Sequence, residues 1–275
     1  MMPLLRRRRM AKIWTSLVVT CLLSIGPAVG QVPDLVTDRP DQTESSITVA
    51  PGYGQLEFGW THLEDDEDVD VTADSTPETL VRLGVLGSLE LRLGFDGYIW
   101  EEVHSPGARS QRHDGAGDME VGVKYKLWQE NGWLPRTALL AGTTLPTGAR
   151  AFSSERFDPS VRLACSHTLS DRAGLGYNVA GIWQSAEDDM GDRDTTASVA
   201  YSVVLGVALS QRLGTFIEFF GDAPTAAGKP ANSFDTGFTY LLADNLQIDV
   251  LGGVALSEAA EDWFIGAGLV YRLPQ

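Results

Sequence analysis

The chain has 275 residues, with 37 Asp and Glu against 21 Lys and Arg and a formal net charge of −16. Nucleic acid demands a basic face, so this balance excludes it as a partner. Only two cysteines occur, Cys21 and Cys165, too few for the disulfide framework that small secreted scaffolds rely on.

The amino terminus reads as an export signal. Arg6 to Arg9 and Lys12 precede an apolar run from Ile13 to Ile25, and Ala28-Val29-Gly30 supplies small residues for cleavage. Residues 1–30 are therefore expected to be a cleavable signal peptide, with Met10 an equally workable start to Met1. The apolar run is too short for a membrane-spanning helix, which needs about 20 residues. Thr20 before Cys21 fits a lipid-acceptor site poorly.

Residues 31–53 lack clear periodicity and read as an N-terminal periplasmic segment or plug. Asp38, Arg39, Asp41 and Glu44 form its charged cluster.

Regular alternation begins after Tyr53. Leu80 to Trp100 shows it best: Val81, Leu83 and Val85, then Leu89, Leu91, Leu93 and Phe95 share one parity on either side of Gly87-Ser88. Successive strand side chains point to opposite faces, so this is a hairpin with one apolar face. Twelve strands are expected, at 54–62, 78–86, 89–100, 117–128, 135–145, 158–169, 172–183, 195–209, 212–221, 232–241, 246–255 and 262–273. Most have the 9 to 11 residues of a tilted bilayer-spanning strand, beyond the usual five or six of a soluble one.

The connections alternate in length. Gly87-Ser88, 129–134, 170–171, 210–211 and 242–245 are short; 63–77, 101–116, 146–157, 184–194, 222–231 and 256–261 are longer. Short periplasmic turns opposite longer external loops, with both termini on the short side, describe an outer-membrane barrel. Proline falls at strand starts or in connections, and six of the seven Trp lie near strand ends, as interfacial girdles require. Trp100 and Trp128 fall on the inward parity. A secreted β-sandwich, the soluble alternative, predicts shorter strands and no loop asymmetry. The reading is all-β: a closed antiparallel transmembrane β-barrel over 54–273, in the outer membrane of a Gram-negative-type bacterium.

The inward parity supplies the candidate lumen lining: Arg82, Glu90, Arg92, Asp96, Glu120, Lys124, Lys126, Arg162, Asn178, Glu218, Asp235, Asp249 and Arg272. Rings of charged side chains set the field a solute crosses, or pair across strands and fill a narrow barrel. Glycines on the same face (Gly84, Gly94, Gly122, Gly142, Gly174 and Gly176) leave room for a path. The acidic stretches Glu64 to Asp70 and Glu187 to Asp194 lack calcium-loop spacing and read as solvated loops, so neither metal nor cofactor is expected. His62, His104, His113 and His167 lack an oriented nucleophile, and no G-x-S-x-G or HExxH occurs. Catalysis is not expected.

Thr37-Asp38-Arg39-Pro40-Asp41-Gln42-Thr43-Glu44-Ser45, followed by Gly54-Gln55-Leu56-Glu57-Phe58-Gly59, resembles a bacterial family labelled MetA-pathway phenol-degradation or transporter. Gly115 to Trp128 (GAGDMEVGVKYKLW), Leu145-Pro146-Thr147-Gly148 and Gly266-x-Gly268-Leu269 are similar to it as well. The resemblance implies a porin-like barrel passing small, often hydrophobic or aromatic, organic solutes across the outer membrane, with its lipids as surroundings. The alternative is a non-conducting structural or surface-interaction barrel presenting acidic loops. Outer-membrane chains commonly end on an aromatic residue recognised by the barrel-assembly machinery. This one ends Tyr271-Arg272-Leu273-Pro274-Gln275, where Tyr271 must serve.

Overall fold

Strict alternation of apolar and polar residues produces long strands, and among the described residues the regular elements are all strands. The computed structural model describes residues 33–66, 69–105, 107, 109–187, 193–226 and 228–274; the expected signal peptide lies outside them. The strands are β1 (Gly54–Asp65), β2 (Asp70–Leu86), β3 (Leu89–Phe95), β4 (Tyr98–His104), β5 (Gln111–Ala116), β6 (Met119–Trp128) and β7 (Arg136–Leu145). There follow β8 (Asp158–Ser170), β9 (Ala173–Glu187), β10 (Arg193–Ala208), β11 (Leu213–Pro224), β12 (Ala231–Ala243), β13 (Leu246–Ala255) and β14 (Trp263–Leu273).

Every neighbouring pair is antiparallel, and β1 pairs with both β2 and β14, so the sheet closes. The lower part of β2 pairs with β3 and its upper part with β4. Thus β3–β4 is one interrupted strand and β5–β6 another, and the barrel has twelve. Pro77 sits where β2 exchanges one partner for the other, a place where a missing N–H is tolerated.

Burial is inverted relative to a water-soluble protein. The largest fully buried side chains include Arg82, Lys124, Gln55, Glu57, Glu90 and Glu218, whereas Phe238 and Val250 are 50% and 52% exposed. A soluble sandwich hides apolar side chains between its sheets. Here they coat the outside and charges fill the inside, which only a surrounding hydrocarbon phase stabilises.

Three expectations need correction. The longer connections at 63–77, 101–116 and 184–194 are largely strand, because β1, β2, β9 and β10 run on and β4–β5 forms a hairpin above the barrel. Trp100 does not face inward: the interruption at Asp96-Gly97, where Gly97 has φ +92°, resets the alternation, and Trp100 pairs with Asp74 on the outer face. Trp128 does not either, since a bulge between Lys126 and Trp128 sets it opposite Thr137. Both rings join the outer aromatic girdle. Tyr98 and Trp100 pack at 4.8 Å, His62 lies 5.3 Å from Trp263, and Trp60 Nε1 donates to Asp74 at 3.0 Å. His167, the polar exception on β8, stacks on Tyr177 at 6.0 Å and lies 3.7 Å from Glu130.

Candidate functional site

Residues 33–53 lie inside the barrel, joined to inward side chains of nearly every strand. On the β1–β6 wall the contacts are ionic. The Asp38 carboxylate lies 2.7 Å from Lys124 Nζ and 3.2 Å from Arg82 Nε, and also meets Arg92. Its backbone N–H donates to Glu57. Arg82 directs all five of its donors: to Glu90 twice, to Glu57, and to the carbonyls of Val36 and Ile47, at 2.8–3.1 Å. Glu44 takes a two-pronged contact from Arg92 Nη2 at 2.7 and 2.9 Å. Burial alone would raise the Asp38 carboxyl, but Arg82, Lys124 and Arg92 outweigh it and hold it well below the usual range.

Arg39 reaches furthest across. Its guanidinium lies 3.3 Å from Glu78 and 3.6 Å from Asp249 and donates to the carbonyl of Ala267. It occupies the gap left by two glycines. A Cβ on Gly268 would stand 2.5 Å from Arg39 Nε, and one on Gly59 would overlap the guanidinium. Gly84 likewise accommodates the Ala50 carbonyl. Part of the room that inward glycines leave is thus taken by the chain itself.

On the β8–β11 wall the contacts are mostly uncharged. Asn178 accepts from the Glu44 N–H at 2.8 Å and donates to its carbonyl at 3.1 Å. Thr43 bonds Ser202 at 2.7 Å and Glu218, the Gln42 N–H donates to Glu218 at 2.7 Å, and Ser46 meets Ser166 at 2.7 Å. Asp41 has no such welcome: burial, and then Glu218 with Asp235 beyond it, push its carboxyl well above the usual range.

Cavities lie on both sides of this rung. An outer one of about 720 Å³ is lined by Arg92, Asp96, Glu120 and Arg162, and a second of about 510 Å³ by Gln42, Arg162, Asn178 and Phe220. Beneath residues 41–47 an inner cavity of about 480 Å³ is bounded by β8–β11. Of the sequence-derived lumen residues, Arg82, Glu90, Arg92 and Lys124 converge on Asp38, while Asp96 and Glu120 stand apart in the outer cavity. Glu218 and Asp235 oppose each other across β11–β12, and Asp249 faces Arg39. Lys126 stays beside Ala138 near the short turns. Arg272, also at that end, donates to the carbonyls of Pro33 and Asp244 and lies over Tyr53.

The model of the family described as "Putative MetA-pathway of phenol degradation" matches residues 37–273. The chain belongs to that family. No curated protein matches it. Among solved structures, the COG4313 outer membrane channel from Pseudomonas putida F1 is 13% identical, with a TM-score of 0.59 over 80% of this chain and 94% of that one. The beta domain of the Bordetella autotransporter BrkA is 12% identical, with a TM-score of 0.52 over 80% and 98%. The NanC porin is 10% identical, with a TM-score of 0.50 over 79% and 98%. These likenesses show the fold: a twelve-stranded barrel of the outer-membrane type.

The stretches that carry the phenol-degradation family resemblance meet in space. Thr37 to Ser45 holds Asp38 and Arg39; Gly54 to Gly59 supplies Glu57 and the Gly59 gap; Gly115 to Trp128 supplies Lys124; and Gly268 completes the Arg39 cradle. Asp118, from the same GAGD stretch, accepts from the N–H groups of Thr147 and Gly148 at 2.9 and 2.7 Å and of Ser154 at 3.0 Å. It thereby pins the Leu145-Pro146-Thr147-Gly148 connection over the outer cavity. Inward parity alone would have flagged Gln55, Glu57 and Glu78, and also Asp118, which shares the parity of Glu120 and Lys124.

Proposed function

We propose that this barrel passes small organic solutes across the outer membrane, without catalysis, and that residues 33–53 act as an internal plug that narrows the path. The supporting observation is the pair of cavities along β8–β11, on either side of the rung of residues 42–44 and the Asn178, Ser202 and Glu218 side chains that hold it. The family's description suggests aromatic solutes, whose apolar rings partition poorly through a lipopolysaccharide-rich leaflet and benefit from a lined path. Outer-membrane lipids around the barrel and the assembly machinery that inserts it complete the set of partners.

Reconstituting the mature protein with and without residues 31–50 in planar bilayers tests the reading. Deletion is expected to raise single-channel conductance, and liposomes carrying either form are expected to swell in small aromatic solutes. Equal conductance of the two forms removes the plug. No conductance from either favours a non-conducting barrel, in which the ionic packing around Asp38 seals the lumen.

A further inference from the structure

One cation in the outer half of the lumen is not matched to a carboxylate. Arg92 is engaged by Asp38, Glu44 and Glu90, and Arg193 by Glu155. Arg162 donates instead to two neutral acceptors, the Gln42 carbonyl at 3.2 Å and the Asn178 side-chain oxygen at 3.3 Å, both from Nη1. It makes no direct ion pair among the described residues; the Glu44 carboxylate acts on it through space but is itself bound by Arg92. A guanidinium carries five donors in a planar fork suited to carboxylate.

The position matters as much as the charge. Arg162 lines both outer cavities, and Gln42, which it touches, belongs to the rung separating them from the inner one. In the 510 Å³ cavity it lies at the floor, with Ala260 and Glu261 of the β13–β14 connection at the outer rim. Phe220, packed edge-on to Phe264 at 6.1 Å between ring centroids, gives the wall an aromatic surface. Asp222 and Glu261 are the acids there, and Asp222 accepts the Ser198 hydroxyl at 2.6 Å.

We infer that Arg162, with Asn178 and Phe220, forms a binding site for an organic monoanion, a carboxylate on an apolar or aromatic body, at the last stage before the rung. The carboxylate takes the free prongs of the Arg162 fork and the body packs on Phe220. This rests on the solute-passage reading and adds to it the charge class of the solute.

Equilibrium binding to the full mature protein in detergent micelles tests the site without requiring conductance, with benzoate, benzyl alcohol and benzylamine as probes. Benzoate is expected to bind at least tenfold more tightly than benzyl alcohol. Arg162→Gln should abolish that preference while leaving benzyl alcohol unchanged, and Arg162→Lys should keep part of it. Equal benzoate affinity in wild type and Arg162→Gln overturns the site, as does tighter binding of benzylamine, which would give the cavity to its acids. Liposome swelling in benzoate separates the two ideas: binding without swelling counts against passage, whereas swelling with no Arg162-dependent preference counts against the site.

Discussion

The two walls that hold the N-terminal segment differ in kind. On β1–β6, Asp38 and Glu44 meet Arg82, Arg92 and Lys124 in a buried ionic cluster; on β8–β11, hydroxyl and amide groups, with hydrogen bonds to the Glu218 carboxylate and from Arg162 but no ion pair among the described residues, hold residues 42–46 beside open cavities. Buried charges are costly to leave unpaired, so the first wall is an anchor that fails as a unit. Single neutral hydrogen bonds are worth far less, so the second wall can open one contact at a time. A solute path therefore belongs on the second wall.

The largest effect should come from Asp38→Ala, which removes the carboxylate shared by Lys124, Arg82 and Arg92 and leaves Lys124 only the longer contact to Glu44 at 3.4 Å. Breaking a buried ion pair from one side costs roughly 3–5 kcal/mol, enough to unseat the segment. A glutamate-specific endoprotease should then cleave after Glu44 in the folded barrel, and conductance should approach that of the deletion; continued protection would remove the anchor role.

Acidity should act on the two walls with opposite signs. Asp38, held low, contributes seating energy that is complete above the ordinary aspartate range near about 3.9 and is lost as pH falls through its depressed value. Asp41, held high, contributes seating energy that is complete below that range and is lost as pH rises through its elevated value. Lowering pH from about 7 to about 4 should thus tighten the segment and reduce current, and further acidification should release it. Asp41→Asn should shrink the first limb and leave the second, the remainder coming from Glu44, which burial also holds above its usual range; a profile unchanged by that substitution would break the comparison.

Gly268→Ala tests the cradle between the walls. Its added methyl collides with Arg39 Nε, and overpacking of this kind costs about 1–3 kcal/mol. Arg39 must withdraw, so the expected result is partial cleavage after Glu44 by the glutamate-specific protease, with an intact, heat-modifiable barrel. Asn178→Ala should do least, about 1 kcal/mol for its lost hydrogen bonds to Glu44. Brief current openings should increase while protection of Glu44 from the glutamate-specific protease stays at the wild-type level.

The barrel itself was legible in the sequence because alternation is a local property: the twelve expected strands coincide with the observed ones apart from their outer ends. Those ends were missed where β9 and β10 continue through polar residues such as Gln184, Ser185 and Thr195, which show no apolar period once the strands rise out of the hydrocarbon. The faces of Trp100 and Trp128 were missed because one interruption and one bulge each shift the count by a residue, and a period-2 pattern inverts with any such shift. Within the lumen, the sequence pointed to pairing of the residue 38–44 cluster with inward Arg82, Arg92 or Lys124, but not to all three meeting on Asp38, a contact 86 residues distant for Lys124. Such pairings follow from the barrel's curvature, which no local pattern encodes.

Closure by β1 against β14, with Gly54 opposite Leu273, also fixes an order of assembly. All other barrel pairings join strands adjacent along the chain, so the seam is the one pairing that must bring the first and last strands together. The segment carrying Asp38 and Arg39 leads directly into β1. Arg39 touches β14 through Ala267, so it can take its final place only as the seam forms. The protein is in this sense sealed around its own beginning, and a segment that misses that moment would have to enter through a finished mouth.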